Sequence, residues 1–78
     1  MLLIRTQNKA LINATDFKSM SIEQDDNQNT VIVCDGYILG YYEQDKALSV
    51  LNWIAETIAS NTEKNVSIMM PQESDIEG

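Results

Sequence analysis

Histidine is absent from this chain, cysteine and proline each occur once, and five Lys and Arg residues face twelve Asp and Glu, for a formal charge of -7. Each shortage removes a class of chemistry. Without imidazole there is no Ser-His-Asp or Cys-His pair and no zinc site of the usual His-containing kinds. A lone Cys34 cannot close an internal disulfide or build a thiolate cluster. Glycine is sparse as well. Gly36, Gly40 and Gly78 are not clustered, so neither type of glycine-rich nucleotide loop is present. Long apolar runs are missing too: Met1-Leu2-Leu3-Ile4 is cut off by Arg5 and the polar Thr6 to Lys9, too short for a signal-peptide core or a membrane span. A cytoplasmic protein with no membrane partner is expected, a compartment in which a single reduced cysteine is ordinary.

What is present suits one small globular domain. A chain of 78 residues with 44% apolar side chains is not a disordered composition, but at this size folding buries only about 60 to 65% of the surface the unfolded chain exposes. The core is therefore thin. With no disulfide or His-based metal staple to help it, self-association is the expected source of extra stability.

Period-2 patterning dominates the first forty-two residues. Leu2 to Arg5 and Ala10 to Asn13 are short apolar runs around a polar break and read as a first hairpin. In Ser19 to Glu23, Met20 and Ile22 alternate with polar neighbours, the mark of a half-buried strand. Asp25 to Asn29 follows as a solvated loop of residues that bond their own backbone. The strongest local signal is Asp35-Gly36 between Thr30 to Cys34 and Tyr37 to Tyr42, since Asp-Gly takes the positive φ values of a two-residue hairpin turn. That turn pairs Cys34 with Tyr37, Val33 with Ile38, Ile32 with Leu39 and Val31 with Gly40. One face then carries Ile32, Cys34, Tyr37, Leu39 and Tyr41, and the other Val31, Val33, Ile38, Gly40 and Tyr42. Both faces are apolar, more than a sheet covered by one helix requires.

From Glu43 the period becomes 3.6: Ala47, Leu48, Val50, Leu51, Ile54, Ala55, Ile58 and Ala59 share half of a helical wheel, predicting a helix over residues 44–60. Glu43 or Gln44 starts it and Asn61 ends it. After the polar residues 61–65, Val66 to Met70 reads as a last strand stopped by Pro71. The expected architecture is α+β: a single domain over residues 1–71 with an antiparallel meander of about five strands, one amphipathic helix packed on it and a short C-terminal strand. Residues 72–78 are expected to be an acidic, disordered tail. The expected core includes Leu2 or Leu3, Ile4, Ile12, Ile22, Val31, Val33, Ile38, Leu51, Ile54 and Ile58.

No constellation points to catalysis. Asp25 to Thr30 opens like a calcium loop, but Thr30 and Gly36 stand where an EF-hand needs Gly and a bidentate Glu. Cys34 has no base, and Asp35 beside it raises rather than lowers a thiol pKa. Neighbouring acids lie in a loop and a tail, where carboxylates stay solvated. No catalytic, cofactor-binding or metal site is therefore assigned. The basic residues at positions 5, 9, 18, 46 and 64 form no stripe, so direct nucleic-acid binding is not expected either.

The segment Tyr37-Ile38-Leu39-Gly40-Tyr41-Tyr42, followed by Lys46-Ala47-Leu48 and Val50-Leu51-x-x-Ile54, resembles small phage- and prophage-encoded proteins of Gram-positive bacteria whose function is unassigned. In these a Leu-Gly-x-Tyr strand runs into a Lys/Arg-Ala-x-x-Val-Leu-x-x-Ile helix, after a start similar to Met1 to Arg5. The likeness covers about a third of the chain and carries no catalytic residue. It implies a cytosolic protein of a phage-like gene set. The function expected is that of a non-enzymatic protein-interaction module, self-associating as a homodimer, with an interface at Ile32, Tyr37, Leu39, Tyr41 and Trp53. The alternative is an acidic nucleic-acid mimic that inhibits a host nucleic-acid-processing enzyme.

Overall fold

Short apolar runs separated by turn-forming residues become strands because each break supplies a backbone conformation that ends the ladder. The computed structural model describes residues 1–60 and 65–76. Its order is β1 (Leu2–Arg5), β2 (Leu11–Asn13), β3 (Met20–Gln24), β4 (Thr30–Cys34), β5 (Tyr37–Tyr41), α1 (Gln44–Ser60), β6 (Val66–Met69) and a single 3-10 turn at Glu73–Asp75. The protein is thus α+β, with the expected strands, one helix and a C-terminal strand. Hydrogen bonding divides the strands between two three-stranded sheets, β2-β1-β6 and β3-β4-β5. In the first sheet β1 is antiparallel to β2 and parallel to β6, while the second is an antiparallel meander.

The turns are built from their own side chains. In the first hairpin Thr6 N donates to Ala10 O at 2.7 Å and Ala10 N donates to Thr6 Oγ1 at 3.0 Å, so the buried Thr6 is satisfied locally. The Asp25 carboxylate accepts from Asn27 N at 2.9 Å and Asn29 N at 2.8 Å. The bond from Asn29 leads in holding its pKa below the usual carboxylate value. At the Asp35-Gly36 bend both residues have positive φ, 49° and 89°, as the two-residue turn demands. Asp35 also ties the first sheet's exit to this bend, its carboxylate accepting from Lys18 N and Ser19 N at 3.0 Å.

Helix α1 spans the expected residues and buries Ala47, Val50 and Ile54. The expected stop at Asn61 lies outside the described residues. Against α1 pack Ile32, Cys34 and Leu39 of the second sheet and Leu2, Ile4 and Ile68 of the first, one cluster joining both sheets. This corrects the expected core. Val33 is only partly buried and Ile38 is exposed, both on the face away from the cluster, and Val31 is buried on that same far face. The reason lies in β3, whose alternation sets Met20 against Cys34 and Ile22 against Ile32, with Ser21 and Glu23 against Val33 and Val31. A face bearing Ser21 and Glu23 turns to water.

The β4–β5 register holds for Cys34 with Tyr37 and Val33 with Ile38, then shifts so that Ile32 pairs with Gly40 and Val31 with Tyr41. Leu39 is the extra residue of a β-bulge. The bulge sends Tyr41 outward and brings Tyr42 over Gly40: a Cβ at Gly40 would sit 2.7 Å from Tyr42 Cε2. Tyr42 OH in turn donates to Pro71 O at 2.6 Å. That contact begins a packed C-terminal segment where a disordered tail was expected. Gln72 Nε2 donates to Gln7 O at 3.0 Å, Glu43 N donates to Glu73 Oε2 at 2.5 Å, and Ile76 packs on the core. Residues 77–78 of the expected tail lie outside the described residues.

Gly40→Ala forces the Tyr42 ring off its seat and is expected to cost about 1 to 3 kcal/mol, the usual range for overpacking, read as a lowered urea midpoint with an unchanged slope. Burial, reinforced by the Glu73 charge, pushes the Tyr42 hydroxyl up to about 12. Folding then holds this phenol protonated. Below its unfolded pKa of about 10 the group adds no pH dependence, and above it stability falls with pH, because the unfolded chain ionises first. Absorbance titration should show a late phenol that vanishes in Tyr42→Phe, and a titration with no late component would contradict the packing described.

Candidate interaction surface

The side chains singled out from sequence end up on different surfaces. Ile32 and Leu39 have 0% exposure, in the centre of the core, and cannot touch a partner. They face α1 because the helix covers the face the β3 alternation makes apolar, and Leu39 keeps the inward direction of Ile32 through the bulge. Tyr37, 61% exposed, stands opposite Cys34 at the Asp35-Gly36 end, where both line a cavity of about 290 Å³ with Ile12, Phe17 and Asp35. Trp53, 43% exposed, lies on α1 and lines an apolar depression with Val50, Pro71 and Ile76. Of the expected interface residues, Tyr41 alone belongs to the second sheet's outer face.

That outer face is built from alternate residues of three strands. Across one row run Glu23, Val31 and Tyr41, and across the next Ser21, Val33 and Ile38. Val31 is sealed among its neighbours, while Ile38 is 42% and Tyr41 47% exposed. Two large apolar side chains therefore sit side by side on one strand, rimmed by Glu23 and Ser21. Ile38 was assigned to the core by sequence; its pairing with Val33 holds, but the pairing of Ser21 with Val33 gives that face to solvent, while Gly40 inside an otherwise β-rich run is a sign of the bulge that moves Tyr41 to the same face.

The free edge of β5 is closed by one residue. Gln7, in the turn after β1, donates from its backbone N to Leu39 O at 2.8 Å and accepts from Tyr41 N through Oε1 at 2.8 Å. Its Nε2 donates to Tyr41 O at 3.1 Å. The Gln7 amide thus meets Tyr41 as a neighbouring strand would, presenting an acceptor to its N–H and a donor to its carbonyl. With Gln72 bonded to the Gln7 carbonyl, all four of its polar groups are engaged, and β5 cannot pair further at Leu39 or Tyr41.

The titratable groups follow their surroundings. Burial, and then the charge of Asp35, pushes the Cys34 thiol up, away from the thiolate a nucleophile needs. Among the described residues no three Cys, Asp or Glu groups are placed to share a metal ion. Glu43 and Glu73 line a single shallow groove with Gln28, Asn29 and Tyr41, so the loop after β3 meets the start of α1 there, and Glu23 lies in the row of Val31 and Tyr41 on the same sheet. No helix among the described residues is long and apolar enough to cross a membrane.

No family model matches the chain, and neither a curated protein nor a solved structure matches it.

Gln7→Glu keeps the acceptor for Tyr41 N but removes the donor to Tyr41 O. It is expected to lose about 1 kcal/mol at neutral pH. Much of this should return in acid, where a protonated carboxyl donates again. Urea denaturation of both proteins at neutral and acid pH checks it, and equal stability at both would show that the amide does not hold this edge.

Proposed function

We propose that this chain is a non-enzymatic protein-interaction module, cytoplasmic, of phage or prophage type and self-associating, which engages a partner protein through the outer face of β3-β4-β5. The observation that carries the reading is the adjacency of Ile38 and Tyr41, both well exposed, on a face that α1 does not cover. Paired exposed apolar residues with a polar rim are the composition of a protein-binding surface. The non-enzymatic part is supported by the state of the reactive groups. Cys34 is held as a thiol, and the carboxylates of Asp25, Asp35 and Glu73 are occupied by backbone amides.

A second reading is favoured by one specific observation, the placement of Glu43 and Glu73 in one groove with Gln28 and Asn29 of the acidic loop that Asp25 holds. An acidic groove of this kind suits a decoy for a basic nucleic-acid cleft, and such binding weakens steeply with salt.

The two are separated by affinity capture from host lysate at two salt concentrations, using the wild type and Ile38→Glu as bait. A partner kept through the high-salt wash by the wild type and lost by Ile38→Glu is expected. A partner released by salt from the wild type and retained equally by Ile38→Glu would replace the interaction-face reading with the acidic decoy.

A further inference from the structure

The second sheet has two edges and only one of them is closed. β5 is bulged and capped by Gln7, whereas β3 pairs with β4 through five consecutive residues with no bulge, and no other described segment hydrogen-bonds to its outer side. Edge strands are ordinarily blunted by Lys, Pro, a bulge or a covering loop. Met20–Gln24 contains neither Lys nor Pro.

The backbone phase of this edge is fixed by its flanks. Asp25 N donates to Asn29 O at 3.0 Å and Asp35 N donates to Ser19 O at 3.1 Å, so residues 19, 21, 23 and 25 direct their main-chain groups at β4. Antiparallel ladders alternate. Met20, Ile22 and Gln24 therefore present their N–H and C=O groups outward from the sheet.

We infer that β3 pairs with β3 of a second copy of this chain, antiparallel and two-fold symmetric about Ile22, joining the two meanders into one continuous six-stranded sheet. This deepens the self-association part of the proposed function by naming its surface, and it leaves the Ile38 and Tyr41 face free. Centring on Ile22 sets outward groups against outward groups: Ile22 bonds its own mate both ways, and Met20 exchanges bonds with Gln24 of the other copy. The side chains agree. Ser21 comes opposite Glu23 and Lys18 comes opposite Asp26, so each exposed Lys18 gains a carboxylate across the axis. A shift that centres Glu23 sets that carboxylate against itself, and one that centres Ser21 leaves Lys18 opposite Gln24 and sets Asp16 against Asp26. The groove of Phe17, Met20, Leu51 and Ile58 between β3 and α1 lies on the joined side of the sheet and is covered further by the mate. An isologous contact closes at two copies.

Sedimentation equilibrium over a dilution series and amide hydrogen exchange test this on the full chain. A dimer is expected, with the amides of Met20, Ile22 and Gln24 protected in concentrated samples and exchanging on dilution. Gln24→Pro, which removes an outward N–H at the exposed end of the strand, should yield a monomer with an unchanged far-ultraviolet spectrum. Lys18→Glu should weaken the dimer several-fold, and adding Asp26→Lys should restore it, a rescue that a damaged fold would not show. A wild type that stays monomeric at every concentration overturns the inference. A dimer that survives Gln24→Pro and Lys18→Glu but dissociates in Ile38→Glu also overturns it, while keeping self-association and moving it to the outer face. A monomer that binds a foreign protein through Ile38 overturns it and leaves the partner-binding reading intact.

Discussion

One inserted residue in β5 determines how the parts of this molecule meet. Because Leu39 is extra relative to β4, it and Gly40 both turn toward the core, Tyr41 turns out, and Tyr42 follows at the start of the helix connection. Tyr42 then lies against Gly40, where a β-carbon would not fit, and its hydroxyl reaches Pro71 to hold the C-terminal segment. The same stretch of β5 receives Gln7 from the first sheet. Helix, both sheets and the last residues are therefore anchored within a few residues of the bulge. A regular strand would place Tyr41 in the core and Tyr42 outside, and the C-terminal segment would lose its anchor.

Much of the architecture could be read from the residues alone. The start of the helix, the Asp35-Gly36 bend, the loop at Asp25 to Asn29 and the first hairpin all carry local signals, because a change of period, positive φ and side-chain-to-backbone bonds act within a few residues. The face assignment of β4 and β5 needed two non-local facts. One is the register of β3, which pairs polar Ser21 and Glu23 with Val33 and Val31 and so gives the other face to the helix. Its alternation was visible, but only its pairing with β4 turns alternation into a choice between faces. The other is the bulge, hinted at by Gly40 yet placed only by the hydrogen bonds of the folded sheet.

The candidate surface was legible to the same extent. Tyr41 stays exposed although its face was misassigned, Ile32 and Leu39 are core, and Ile38 was missed for the same reason that Val33 was overvalued. Gln7 carried no signal at all. Its role depends on the first hairpin's turn lying beside β5, a contact between residues far apart in sequence that neither propensity nor patterning encodes.

A small acidic protein that self-associates has to reconcile a thin core with charge repulsion, and the geometry of a strand edge does so better than a face would. Each copy carries a net charge of -7, with carboxylates concentrated about the loop after β3. Two-fold pairing about Ile22 sets Asp25 of one chain six residues along the strand from Asp25 of the other, roughly 20 Å at the usual rise per residue. That separation is more than twice the Debye length of about 8 Å at physiological ionic strength, so repulsion between the acidic ends is largely screened. The opposite-sign neighbours, Lys18 and Asp26, come directly across from one another, while the two Glu23 carboxylates meet only on a diagonal of about 7 to 8 Å and stay exposed to water on the outer face. Stacking two outer faces would place Glu23 of each chain within the contact itself, with its carboxylate partly desolvated. On electrostatic grounds the edge is therefore the surface on which this chain can meet its own copy, and the outer face is better suited to a protein of different charge.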